Sequence, residues 1–438
     1  MNQRSSLVTR LLVLGTLATG LAAGGVACQQ QNGPAAEPDP IPTKPTTKKD
    51  ASPPPPAPPK EDAGEPTPVP VKDGATPPVA DAGAETGPSS DGSAADTGSD
   101  GGNTGDGGPV MSLLDNPLGP LPQDLKDVGL FTAYPALTTV DPRAFYFEPR
   151  YPLWSDGLEK ARYAVLPKGK QIDTAVRDAW EFPVGMLMFK TFSFKDPAAG
   201  GKLRPVETRL IRRVSNTGDF TDQWDFQVYQ WNDAGTSATL ANIDKVIPRE
   251  VTVDGQKFTH NIPSTKQCWN CHIANKAPMI GFDELRLNIK VGTATATQLD
   301  QVVAKQWLTK APVAPLLEVT GGRTPLEKSV MEYVQANCAH CHNGEQPRQP
   351  GARYPMLDLR WDHLIKSTVN IMTMTVGTAS GVRIVPGDPA KSILLQAMKA
   401  IANPAANVEV KPMPVVGVSR MDQKAVDMVE MWIKTLTP

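Results

Sequence analysis

A chain of 438 residues has room for two or three domains, but its 44 prolines are unevenly spread. Eighteen of them fall between positions 29 and 110, and none of the 26 aromatic residues precedes Phe131. The first quarter therefore lacks the side chains for a core, and roughly 310 residues remain to fold. A formal net charge of −2 offers no general attraction to a polyanion, which sets nucleic-acid partners aside.

Residues 1–27 have the make-up of an export signal. Arg4 and Arg10 give a positive start, Leu11 to Ala23 form a short apolar stretch, and small residues run on to Ala27. The stretch is short for a membrane span. Cys28 follows Gly25-Val26-Ala27, which resembles the lipobox of bacterial lipoproteins with glycine in the usual place of leucine. That resemblance implies that Cys28 becomes the first mature residue and carries a lipid. Gln29, in place of the aspartate associated with inner-membrane retention, favours the outer membrane. The alternative is an ordinary signal peptide cut nearby, leaving a free thiol. Residues 28–111 are rich in proline, alanine, glycine and aspartate, with a Pro53 to Pro56 run in the middle. They read as a disordered linker, stiff in its first half and flexible in its second, that spans on the order of 50 Å as a coil.

Residues 128–265 read as a β-rich domain, a sheet or a sandwich. Short aromatic or alternating runs at 161–167, 186–194, 207–214 and 224–231 are broken by glycine, proline and asparagine. From 266 the spacing becomes helical, first in a segment to about 320 with helices predicted over 281–289 and 297–308. Thr324-Pro325-Leu326-Glu327 then combines a capping threonine, proline at the first helical position and glutamate three residues after the cap. The last helix places Met421, Ala425, Met428, Val429, Trp432, Ile433 and Leu436 on one face. The fold class expected is α+β: a β-rich module followed by an all-α domain over 321–438.

Four of the five cysteines form two strings, Cys268-Trp269-Asn270-Cys271-His272 and Cys338-Ala339-His340-Cys341-His342. In each, two thiols three positions apart can bond the vinyl groups of one haem while the adjacent histidine, His272 or His342, offers an imidazole to the iron. Zinc would have to draw the cysteines together across 66 intervening residues and would leave both histidines unexplained. Two covalently bound haem c groups are therefore expected, with iron bound by His272 and His342. For the second haem, Met413 in a proline-rich loop is the distal candidate, with Met398, Met421 and His363 as alternatives. For the first, His260, His363, Met186, Met188, Met372, Met374 and no protein ligand all stay open. His340, between the second pair of cysteines, reads as a partly exposed polar residue that could still sit between haems.

The segment 385–394, Met413 in its loop and the closing helix resemble the C-terminal half of class I c-type cytochromes, in which that loop methionine is the distal ligand. More widely, the ordered strings at 151–157, 180–192, 207–210 and 229–240, together with both cysteine strings and 385–394, resemble a family of predicted dihaem c-type cytochromes among exported bacterial proteins. The resemblance implies two haems and a redox role, without a substrate. Within its motifs, Trp154, Asp156, Trp180, Lys190, Glu207, Arg209, Trp231 and Asp233 could line a site. The plainer alternative is that the tryptophans fill the core and Glu207 pairs with Arg209. The function expected is lipid-tethered electron transfer in the cell envelope, with envelope redox proteins as partners and the membrane reached through the N-terminal lipid. A dihaem peroxidase or other haem oxidoreductase with an open first haem is one alternative, and a β-rich docking module carrying accessory haems is another.

Overall fold

The computed structural model describes residues 111–272, 277–344, 357–373, 381–404 and 410–437. The expected export signal, Cys28, the body of the linker and Met374 lie outside them. All described elements belong to one compact unit, Ser99–Pro438.

Six strands form one antiparallel meander in chain order: β1 (Phe145–Tyr146), β2 (Glu159–Val165), β3 (Leu187–Asp196), β4 (Lys202–Arg213), β5 (Trp224–Trp231) and β6 (Ala238–Leu240). The runs expected from sequence fall on β2 to β5. Apolar residues fall next to one another in them, as in Leu187-Met188-Phe189, because both sheet faces are covered. On one face Tyr163, Leu187, Phe189, Leu210, Tyr229 and Trp231 pack beneath the 113–131 segment. On the other, Ala164, Met188, Ile211, Trp224 and Phe226 meet Phe282 and the first cysteine string. Burying a strand on both sides replaces strict alternation with continuous hydrophobicity.

A separate hairpin joins β7 (Ile247–Val253) and β8 (Gln256–Ile262). Its turn residues Asp254 and Gly255 both have positive φ, 52° and 74°, as the two-residue turn matched to strand twist requires. Val251 and Val253 lie over Phe192, Phe194 and Val206 of the main sheet.

The helices are α1 (Phe220–Gln223), α2 (Thr265–His272), α3 (Glu284–Leu287), α4 (Gln298–Ala304), α5 (Pro325–Asn337), α6 (Leu364–Thr368), α7 (Ile393–Lys399) and α8 (Gln423–Thr435). The helix expected over 281–289 is only the single turn α3. Glu284, fully buried, spends its carboxylate on Arg177 and on the Leu317 N–H, so tertiary contacts rather than helical periodicity hold this segment. The helix expected over 297–308 stops at Ala304, ahead of Gln306 with its φ of 58°. The cap expected at Thr324 is present: its hydroxyl accepts from the Glu327 N–H at 3.1 Å. The Glu327 carboxylate turns to the Trp432 indole N–H at 3.0 Å and so ties α5 to α8. Those helices share an apolar cluster with Leu364, Ile384 and Leu395, to which Tyr151 and Leu285 also contribute. The architecture is thus α+β, a six-stranded antiparallel sheet followed by helices.

Candidate functional site at the two cysteine strings

The first string lies on α2. Its helix starts where Ser264 O accepts from the Gln267 and Cys268 N–H groups. Its inner side rests on the sheet, with the Trp269 ring 4.6 Å and the His272 ring 4.9 Å from the Phe226 ring. His272 donates from Nδ1 to the Pro278 carbonyl at 2.5 Å. A carbonyl can only accept, so the proton sits on Nδ1 and the Nε2 lone pair is free. Burial holds the ring neutral by lowering its pKa to about 4.

The second string follows α5 as a turn. The Cys338 N–H closes on Val334 O, and Cys338 O accepts from the Cys341 and His342 N–H groups at 3.1 and 2.9 Å. His342 is likewise driven to about 4 by burial, and its buried Nδ1 has no hydrogen-bond partner among the described residues. The four described cysteines are all free thiols.

The fold brings the two strings together. Ligand atoms of Cys271, His340 and Cys341 all lie within 4.8 Å of one another. A hydrogen bond from Cys341 lowers the Cys271 thiol well below its usual pKa and raises that of Cys341. Cys268 and Cys338 are not in this cluster. Cys268 packs against the sheet core and Cys338 against the helical core, and burial raises them to about 11 and about 12. His340 is not the partly exposed residue its sequence position suggests: it is 7% exposed, with its Nδ1 unpartnered among the described residues.

Beside the first string the sheet carries a layer of charge. Burial pushes the Glu207 carboxyl up, but Arg209, at 2.6 Å, and His260 outweigh it and hold the group at about 2. His260 is 1% exposed, with Nε2 2.9 Å from Glu207 and Nδ1 3.5 Å from Asp156. Burial pushes its pKa down, yet the two carboxylates raise it above the ordinary value. Both ring nitrogens thus face carboxylates, so His260 is not free to ligate a first haem. The pairing of Glu207 with Arg209 is present, and Trp180 and Trp231 do fill the two sheet cores.

Asp156 joins the regions. It has a φ of 59°, and its Oδ1 accepts from the Ser419 and Arg420 N–H groups at 2.7 and 2.8 Å, in the loop after Met413. Trp154 adds its indole N–H to Arg420 O at 2.9 Å and its backbone N–H to Asn337 Oδ1 at 2.7 Å, next to Cys338. Met413 itself is 38% exposed and hangs from Ala397 O by its N–H. Of the other candidate ligands, Met398 is buried in the helical core and Met186 and Met188 in the sheet core. Met372 is exposed, and His363 lies 3.0 Å from Asp362.

No family model, curated protein or solved structure matches the chain. Among the described residues no helix is long and apolar enough to cross a membrane.

Proposed function

We propose that this protein is a dihaem c-type cytochrome that carries electrons in the bacterial cell envelope, tethered through a lipid on Cys28. The observation that carries the reading is the pairing of His272 Nδ1 with the Pro278 carbonyl, beside two free thiols on the same helix. A metal-binding histidine is ordinarily oriented this way, giving its other N–H to a carbonyl so that the remaining nitrogen is basic and aimed. His342 is held neutral as well but has no such carbonyl partner among the described residues, so its assignment rests on its place in the second string. When bound, haem would supply one-electron chemistry, with its porphyrin held by thioether links to Cys268 and Cys271 or to Cys338 and Cys341 and its iron by His272 or His342.

The chain's own residues do the rest. The contact of Trp269 with Phe226 fixes the helix that carries the first string against the sheet. The approach of Cys271 to Cys341 sets the two attachment points side by side, which favours exchange of electrons within the molecule. The segment containing 385–394, the Met413 loop and α8 is read as a class I cytochrome module, with Met413 as the distal ligand of the second haem. Replacing Met413 by alanine is expected to abolish a sulfur-to-iron charge-transfer band and lower the potential of the second haem. An unchanged band and potential would assign the ligand elsewhere.

A second reading follows from the cluster itself. Cys271, His340 and Cys341 offer a soft Cys₂His donor set that would suit zinc or copper. Metal analysis of exported protein separates the two readings: iron with a haem stain that survives denaturation supports the cytochrome, whereas zinc or copper on a colourless chain supports the direct metal site.

A further inference from the structure

Three cations face one another across the sheet. Arg162 on β2 stands directly opposite Lys190 on β3, and Lys190 directly opposite Arg209 on β4. One pleat further along, Lys160 stands opposite Phe192, which stands opposite Glu207. These residues share the face of Ala164, Met188, Ile211 and Phe226, because side chains two apart on a strand point the same way. Like charges directly opposite one another weaken a sheet, and burying an unpaired cation costs more still.

Protein groups balance only part of this charge. Arg209 has Glu207, and Lys160 donates to Leu153 O at 2.6 Å. Arg162, 6% exposed, and Lys190, whose ammonium lies 4.8 Å from the Phe192 ring centre, make no ion pair or side-chain hydrogen bond among the described residues. Burial, followed by repulsion from the neighbouring cations, holds Lys190 well below its usual pKa.

We infer that the Arg162–Lys190–Arg209 row is a binding site for carboxylates, and that its occupants are the two propionates of the first haem. The inference rests on the dihaem reading. Arg162 and Lys190 are two unpartnered donors, one for each carboxylate. The row lies one pleat, about 6.7 Å along the strands, from the row of Met188 and Phe226 that supports Trp269 and His272. The charges also reach the string electrostatically: Arg209 acts on Cys268 and Lys190 on His272. A small anion from solution shares the carboxylate chemistry and can reach the row, where the Arg209 side chain is 23% exposed, so acetate and phosphate are the competing occupants.

The test uses exported, haem-loaded protein carrying Lys190→Met or Arg162→Met, with Lys190→Arg as the conservative variant. The potential of the first haem is assigned by its loss in a Cys268→Ala/Cys271→Ala protein. Both methionine variants should keep two haems, and the first-haem potential should shift downward, because removing a nearby positive charge favours the oxidised iron. Lys190→Arg should restore the wild-type value. Acetate or inorganic phosphate at constant ionic strength should leave the wild-type potential unmoved. Two bound haems with unchanged potentials in both methionine variants would overturn the inference alone, as would a wild-type potential that tracks acetate or phosphate. A wild-type protein without haem would overturn the dihaem reading and this site with it.

Discussion

The two Cys-x-x-Cys-His strings carry the same five-residue pattern in unlike surroundings. The first is helical, its histidine is hydrogen-bonded to a carbonyl, and it lies beside a charged stretch of sheet. The second is a turn at the end of a capped helix, set in an apolar cluster, with its histidine Nδ1 unpartnered. On the proposed dihaem reading, attachment would belong to the short motif and the electrostatics of the attached group to distant residues. Axial ligand, hydrogen bonding and burial set a haem potential, so the two sites are expected to differ in potential despite identical attachment chemistry.

The sharpest way to break the comparison is to cut the link between the regions. Asp156 serves Ser419, Arg420 and His260 from a fully buried position. Asp156→Ala is expected to cost about 3–5 kcal/mol, the usual result of removing one partner from a buried charged network. Denaturant unfolding would measure it, and a midpoint equal to wild type would mean that the clamp contributes nothing.

A smaller effect is expected from pH. Folding raises the pKa of His260, so its contribution is complete below its unfolded value of 6.5 and fades as pH rises through the higher folded value. Glu207 acts in the opposite sense. Folding lowers it from 4.5 to about 2, so its contribution is present above 4.5 and is lost as pH falls through about 2. Stability measured from pH 6 upward should decline with a slope that disappears in His260→Gln, at up to about 1.4 kcal/mol for each unit by which the pKa is raised. A decline of equal slope in that variant would assign it to other groups. The smallest effect belongs to the second region alone: Thr324→Ala removes the cap of α5 and should cost about 1 kcal/mol, read from thermal unfolding. Loss of haem from the first string in that variant would contradict the separation of the two environments.

Much of the framework is legible in the amino-acid order because its signals are local. Aromatic runs such as 186–194, preceded by Gly185, and 224–231, followed by Asn232, mark strands, and Thr324-Pro325 marks a helix start. What escaped depends on contacts between distant segments. The meeting of Cys271 with Cys341 leaves no periodic trace across the intervening chain, and a histidine between two cysteines gives no sign that it will be buried. Lys160 and Arg162 look like ordinary strand-surface charges until their register opposite Phe192 and Lys190 is known. Helix α3 is shorter than its pattern because Glu284, which looks like a solvent-facing helix residue, is claimed by Arg177.

The central claim is that both strings are covalent haem anchors, and peptide mass analysis of protein exported by a host competent in cytochrome maturation tests it most directly. Two peptides should each carry one iron porphyrin, one spanning Cys268 and Cys271 and the other Cys338 and Cys341. Recovery of both peptides with four unmodified cysteines would contradict it.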